Sequence, residues 1–147
     1  MNKILPPVLA ALVAVLMLLV DHFCPVLQII APPYQPGGAV LLVLGILLTL
    51  LARLQFARAK TNIYTFSEPG SLQTGGVFAL SRNPMYLGFT MALLGGAVML
   101  GSLSALLLSA VFALITDRWY IAYEERAMRH KFGAAFDAYA ASTRRWC

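Results

Sequence analysis

One stretch constrains this chain more than any other: Met85 to Ile115 contains no charged residue and is interrupted only at Gly101-Ser102. A helix needs about 20 apolar residues to cross a bilayer. The stretch is therefore too long for one crossing and short for two. It reads as a helical hairpin turning near one membrane interface. Its first helix starts at Pro84, and its second continues past Asp117. Two further apolar runs precede it, from about Ile4 to Val20 and from about Gly38 to Leu54. Charged residues make up 12% of the 147 residues, about half the share of a soluble domain. The expected class is all-α, a polytopic membrane protein with about four transmembrane helices. One domain is expected at this length. Residues 1–58 would supply two N-terminal spans, and 59–147 the hairpin and the polar segments around it.

The basic residues give the orientation. Lys3 precedes the first span, and Arg53, Arg58, Lys60 and Arg82 surround the connection between the second and third. Arg118, Arg126, Arg129, Lys131, Arg144 and Arg145 follow the fourth. The loop from Asp21 to Pro36 and the turn at Gly101 carry neither Lys nor Arg. Such one-sidedness marks the cytoplasmic face, so both termini are expected there, with a bacterial cytoplasmic membrane as the setting. The net charge of +5 is then a topology signal with some attraction to anionic lipid. It lacks the basic stripe and readout residues of a nucleic-acid binder.

The first span reads as a retained helix, because Asp21-His22-Phe23-Cys24 offers no small-residue cleavage site. Pro6-Pro7 either kinks that span or forms its first turn. Cys24 and Cys147 fall on opposite sides of the membrane and would not pair within one chain. His22 and His130 are isolated and do not make a metal site. The first two spans have no polar interior and read as packing and lipid-facing helices.

Three polar segments carry the candidate chemistry. Residues 59–81 are rich in Thr, Ser, Gly and aromatics (Tyr64, Phe66, Phe78), with Pro69-Gly70 and Gly75-Gly76. This is extended chain and turns, and glycine lets a backbone approach a ligand closely. A connection of this length without its own helix is more often functional than a plain connector. Asn83-Pro84 then reads as a helix start, with Asn as N-cap and Pro at the first helical position. The positive end of that helix favours an anion. Arg82 lies beside it and Tyr86 within one turn. The third segment is Glu124-Glu125. Adjacent helical residues point about 100° apart, so one carboxylate can face inward while the other faces water. Glu125 has Arg129 four residues on, which suits a surface pair. Glu124 has Met128 there and is the inward candidate. Beyond Phe132-Gly133 a short interfacial helix carries Phe136, Tyr139 and Ala140 at helical spacing. It would lie on the membrane surface or cover the loop as a lid.

The string Leu72-Gln73-Thr74-Gly75-Gly76-Val77-Phe78, followed by Ser81-Arg82-Asn83-Pro84-Met85-Tyr86-Leu87-Gly88, resembles the core of the isoprenylcysteine carboxyl methyltransferases and their small bacterial, phospholipid methyltransferase-like relatives. Glu124-Glu125, Phe132-Gly133, Tyr139 and Arg144-Arg145-Trp146 continue the pattern, so the resemblance covers Thr61 to Trp146. It implies a membrane enzyme that uses S-adenosylmethionine, releases S-adenosylhomocysteine, and needs no metal. Cofactor contacts carried over are Ser71, Leu72, Gln73, Phe78, Arg82, Asn83, Pro84, Met85, Tyr86 and Glu124. Arg82, Asn83, Tyr86 and Glu124 would be the catalytic set. Many members have His at the position of Asn83, which here has no titratable group. Eukaryotic members place an Arg for the substrate carboxylate where Tyr120 falls, with Arg118 two residues earlier.

The acceptor would be a lipophilic small molecule or lipid entering between helices three and four. Carboxylate, amine and thiol acceptors all stay open, as does the oligomeric state. Two other readings compete: an NADPH-dependent membrane reductase of the sterol-reductase type, and a non-enzymatic four-helix protein that assists a partner.

Overall fold

A computed structural model describes residues 5–24, 27–59 and 70–147. Lys3, Ile4, Pro25, Lys60, Thr61, Tyr64, Phe66 and Pro69, named above, lie outside the described residues. The described chain is helical and contains no strand. Helix α1 is Pro6–Phe23 and α2 Pro36–Arg58. Helix α3 is Pro84–Leu100 and α4 Leu103–Ile115. A π-helical turn, Thr116–Ile121, joins α4 to α5, Ala122–Phe132, and α6 is Ala134–Ser142. Pro6-Pro7 forms the first turn of α1 rather than a kink.

Three continuous helical segments, Pro6–Phe23, Pro32–Arg58 and Leu103–Phe132, are long and apolar enough to cross a membrane. The 17-residue α3 is a shorter apolar helix. Leucine and valine side chains along α1, α2 and α4 are exposed on the outside, among them Leu12, Leu18, Val40, Leu51 and Leu114. That is the surface of a protein whose outer solvent is hydrocarbon.

Helix α3 is the hub. It packs closely on α2 and also against α1 and α4, whereas α1 and α2 scarcely touch each other. The α2–α3 seam is backbone against backbone. Gly38 and Gly45 on α2 meet Gly95 and Gly88 on the antiparallel α3. A Cβ on Gly45 would come within 2.5 Å of the Gly88 carbonyl oxygen and the Ala92 amide nitrogen. Thr49 completes the seam, its Oγ1 donating to the Gly45 and Met85 carbonyls at 3.0 and 3.4 Å. Close approach through small residues is the usual means of helix association in lipid. On the other side of α3, Leu93 and Ala97 join Ala10 and Met17 of α1 and Ala105 and Phe112 of α4 in an apolar core.

The α3–α4 hairpin turns at Gly101, whose φ of +73° ends α3 in the left-handed region that favours glycine. Ser102 caps α4 by accepting from the Ala105 amide at 3.4 Å. The connection from α1 to α2 reaches this turn: Ile29 N donates to the Gly101 carbonyl, and Leu103 N to that of Leu27. The opposite end of the bundle carries Arg53, Arg58, Arg82 and the polar segments. Here α6 folds back over the glycine-bearing turn Gly76–Ala79, and Phe78, Phe136, Tyr139 and Ala52 form a second apolar cluster.

Candidate functional site

At this basic end a cavity of about 540 Å³ lies among α1, α2, α3, α5 and α6. Its polar side is built by the segment entering α3. Asn83 does not cap the helix with its side chain. That side chain turns away, and its Nδ2 donates to the Arg145 carbonyl at 3.1 Å. The start of α3 therefore receives no cap from the Asn83 side chain. The N–H groups of a helix start and the helix dipole favour an anion. Tyr86, buried on the first turn, donates from Oη to Glu124 Oε1 at 2.7 Å. This bond ties α3 to α5 across the cavity.

The structure revises the division between the two glutamates. Glu125, assigned above to a surface pair, is 9% exposed and sits between two arginines. Arg82 Nε and Nη2 reach Glu125 Oε1 at 3.2 and 2.8 Å. Arg145 Nη2 reaches Oε2 at 2.6 Å and Nε reaches Oε1 at 3.3 Å. Arg129 instead pairs with exposed Asp137 at 2.7 Å. Both Glu124 and Glu125 line the cavity. Hydrogen bonding to Glu125 outweighs burial and holds the Arg145 guanidinium above its ordinary pKa.

Arg82 spends most of its donors inside the protein. Besides Glu125, its Nη1 donates to the Ala140 and Thr143 carbonyls at 2.9 and 2.6 Å. It braces the cavity wall rather than standing as a free anion anchor.

The segment after α6 is laced to the same place. Arg82 N donates to the Arg144 carbonyl, and Ser81 Oγ donates to that of Arg145 at 3.2 Å. Asp117 Oδ1 accepts from Trp146 Nε1 at 2.9 Å and Arg145 Nη1 at 3.2 Å. Sequence reasoning quoted Arg145 and Trp146 only as part of a pattern and gave them and Asp117 no role. The Arg-Arg-Trp string after an amphipathic helix was the available signal.

On the remaining side, Gln55 Nε2 donates to the Gly75 carbonyl at 2.7 Å and holds the glycine turn to the end of α2. Phe78 packs on Phe56 with ring centroids 4.7 Å apart. Its carbonyl accepts from Tyr139 Oη at 2.5 Å. Burial pushes the Tyr139 hydroxyl up to about 12, so it stays a neutral donor. The expected interfacial helix α6 therefore covers the turn Gly76–Ala79 at the described end of this connection.

Of the residues singled out above, Ser71, Gln73, Phe78, Arg82, Asn83, Pro84, Met85, Tyr86 and Glu124 all line the cavity. Leu72 packs instead into the adjoining apolar cluster. Tyr120 stands behind the site, its ring stacked 6.3 Å from that of Tyr86. Arg118 is separated from the site: its side chain is 80% exposed and pairs with Asp117 at 3.3 Å. No α4 residue lines the cavity, and its apolar wall comes from Leu5, Pro6 and Pro7 at α1, Leu50 of α2 and Phe89 of α3. Among the described residues no group of three or more His, Cys, Asp or Glu could hold a metal ion.

Residues 35–135 match the phospholipid methyltransferase family. Over 108 residues the chain is 32% identical to a probable protein-S-isoprenylcysteine O-methyltransferase of Oryza sativa subsp. japonica, covering 70% of this chain and 55% of that one. Over 111 residues it is 31% identical to protein-S-isoprenylcysteine O-methyltransferase A of Arabidopsis thaliana, covering 71% and 54%. The chain spans about half the length of the curated relatives it matches.

Proposed function

Because this chain belongs to the phospholipid methyltransferase family, we propose that it is a multi-pass membrane methyltransferase that uses S-adenosylmethionine and acts on a lipophilic acceptor. Residues 59–147 would form the catalytic half, with both termini cytoplasmic. The observation that carries this reading is the cavity's two-sided character. One wall presents the Tyr86–Glu124 bond and the uncapped start of α3. The other is apolar and comes from the ends of helices that lie in lipid.

The residues fit the cofactor by their chemistry. A volume of about 540 Å³ is in the range of small-molecule sites. The Glu124 carboxylate suits an ammonium or ribose hydroxyls. The positive end of α3, with Ser71 and Gln73 also in the lining, suits a carboxylate. Phe56 and Phe78 offer aromatic surface for adenine. When bound, the cofactor would supply a methyl group activated on a sulfonium.

The protein's own contribution is alignment and exclusion of water, since displacement at a methyl group requires donor and acceptor in line. Tyr86 orients Glu124. Arg82 and Glu125 hold the entry to α3 against α5 and the segment after α6. Asn83 acts as a tether through its bond to the Arg145 carbonyl. Helix α6 and Tyr139 close the loop side of the cavity.

Calorimetric titration of purified protein with S-adenosylhomocysteine tests the reading. Binding is expected, and Glu124→Ala should weaken it at least tenfold. Folded protein that fails to bind would refute the proposal. Preferential binding of NADPH in a parallel titration would move the assignment to a reductase.

A further inference from the structure

We propose that Asp117 is a positioning residue for the cofactor: by anchoring the strap formed by residues 143–146, it sets the start of α3 against Glu124. This rests on the methyltransferase reading above and adds to that site a residue that does not line the cavity.

The strap begins where α6 ends, with Thr143 in extended conformation (φ −127°, ψ 132°). One edge of it serves the entry to α3 through main-chain carbonyls. Arg82 N donates to the Arg144 carbonyl at 3.0 Å. The Arg145 carbonyl accepts from Ser81 Oγ at 3.2 Å and from Asn83 Nδ2 at 3.1 Å. Ser81 Oγ in turn accepts from the Asn83 amide at 3.1 Å. Ser81 and Asn83 are buried, so water does not compete for these bonds. Pro84 follows directly, and the first turn of α3, with Tyr86, inherits the position that the strap gives to residues 81–83.

The side chains of the strap are held on the other helix. Arg145 spans two carboxylates, its Nη1 reaching Asp117 Oδ1 at 3.2 Å and its Nη2 reaching Glu125 Oε2 at 2.6 Å. Asp117 Oδ1 also accepts from Trp146 Nε1 at 2.9 Å. Glu125 is shared with Arg82 and would keep that partner if the strap left. Asp117 is committed to the strap: among the described residues its other partner is the exposed Arg118.

The π turn is what lets one guanidinium serve both carboxylates. Asp117 and Glu125 are eight positions apart, which in a regular helix leaves them about 80° out of line. A π turn takes up one extra residue, so the rotation is that of seven and falls within about 20° of two full turns. Thr116 and Ile121, at the two ends of that turn, are fully buried, which fixes Asp117 above Glu125. The groups assigned to the cofactor, Glu124 and the start of α3, belong to two different elements. The Tyr86–Glu124 bond joins them on the cavity side, and the strap joins them behind. A site divided in this way binds tightly when its halves are in register before the ligand arrives.

The test uses the purified full chain in nonionic detergent. Trp119→Phe, at a side chain 75% exposed, leaves Trp146 as the remaining tryptophan of two and hence a reporter on the strap. Acrylamide quenching of Trp146 and calorimetric titration with S-adenosylhomocysteine are then measured side by side. Adding Asp117→Ala should raise quenching in the free protein toward that of an exposed indole. It should also weaken S-adenosylhomocysteine binding about tenfold, the scale of one charge-assisted contact. Coupling between strap and cofactor is reciprocal, so saturating S-adenosylhomocysteine should return the quenching in Asp117→Ala toward the parent value. A residue needed only for folding would give no such recovery. Asp117→Asn keeps an acceptor for the indole, and Trp146→Phe keeps the Arg145 bridge; each should weaken binding about threefold with an unchanged unfolding midpoint, and these two decide the matter if Asp117→Ala does not fold. Raised quenching with undiminished affinity would overturn the proposal, as would unchanged quenching, absent recovery, or full affinity in both milder variants. If the parent protein binds no S-adenosylhomocysteine, the methyltransferase reading falls by itself, and the quenching of Asp117→Ala still decides whether Asp117 anchors the strap.

Discussion

Neutralising Glu125 and neutralising Glu124 should have opposite signatures, although the two are neighbours in sequence. Glu125 carries the structural load. Its carboxylate receives four arginine contacts between 2.6 and 3.3 Å. The side chains of Glu125 and Arg82 are 12% and 14% exposed, against 36% for Arg145. Removing one partner of a buried ion pair costs about 3–5 kcal/mol, because the other charge stays behind unmatched. The Arg145 share is screened by solvent and counts for less. Glutamine keeps the shape and one acceptor oxygen but sets an NH₂ against a guanidinium. Glu125→Gln should therefore destabilise by about 3 kcal/mol, roughly 6–12 °C in midpoint for a chain of this size. Its local consequence is release of the segment after α6, so trypsin should cut after exposed Arg144 far faster than in the wild type. Glu124→Gln retains an acceptor for Tyr86 Oη and should cost about 1 kcal/mol or less. It should nevertheless weaken S-adenosylhomocysteine binding at least tenfold. Thermal unfolding in detergent, timed proteolysis and calorimetry on both variants decide the matter. If Glu124→Gln were the less stable variant, or Glu125→Gln left tryptic cutting unchanged, the bracing role drawn for Glu125 would be wrong.

Three other outcomes are expected. Gly45→Ala places a methyl group against the Gly88 carbonyl and the Ala92 amide and should cost about 1–3 kcal/mol by overpacking; Gly37→Ala, with nothing within 4 Å of its Cβ, should be neutral in the same unfolding assay. Burial raises the Tyr139 hydroxyl from 10.0 to about 12, so its stabilising contribution is complete below pH 10 and is lost as pH climbs through 12. The loss amounts to about 2–3 kcal/mol. Tyr139→Phe should remove that part of the alkaline decline while costing about 1 kcal/mol at neutral pH, as read from midpoints across a pH series. Cys24 and Cys147 are both exposed and unpaired. With cytoplasmic termini, a membrane-impermeant thiol reagent should label Cys24 in intact cells and reach Cys147 only after the membrane is opened; the reverse pattern would invert the topology.

The elements that a charge-free run and its interruptions can specify were legible in the sequence. Gly101-Ser102 marked the hairpin turn because a left-handed residue followed by a hydroxyl cap is a local event. Asn83-Pro84 marked the start of α3 for the same reason, although the Asn side chain went elsewhere: a tertiary acceptor, the Arg145 carbonyl, outcompeted the local cap. The α2–α3 seam was also written in the chain, as glycines seven residues apart on both helices, but only pairing the two spacings exposes it. What local periodicity could not settle was the facing of Glu124 and Glu125. The π turn at Thr116–Ile121 breaks the 3.6-residue repeat, so a face counted from α4 does not carry into α5. A regular helix allows Glu125 to meet Arg129, yet that arginine has a partner on α6 in Asp137. Glu125 is drawn inward because two arginines distant in sequence converge on it. Such convergence is a property of the folded end of the bundle, where α3, α5 and the segment after α6 meet.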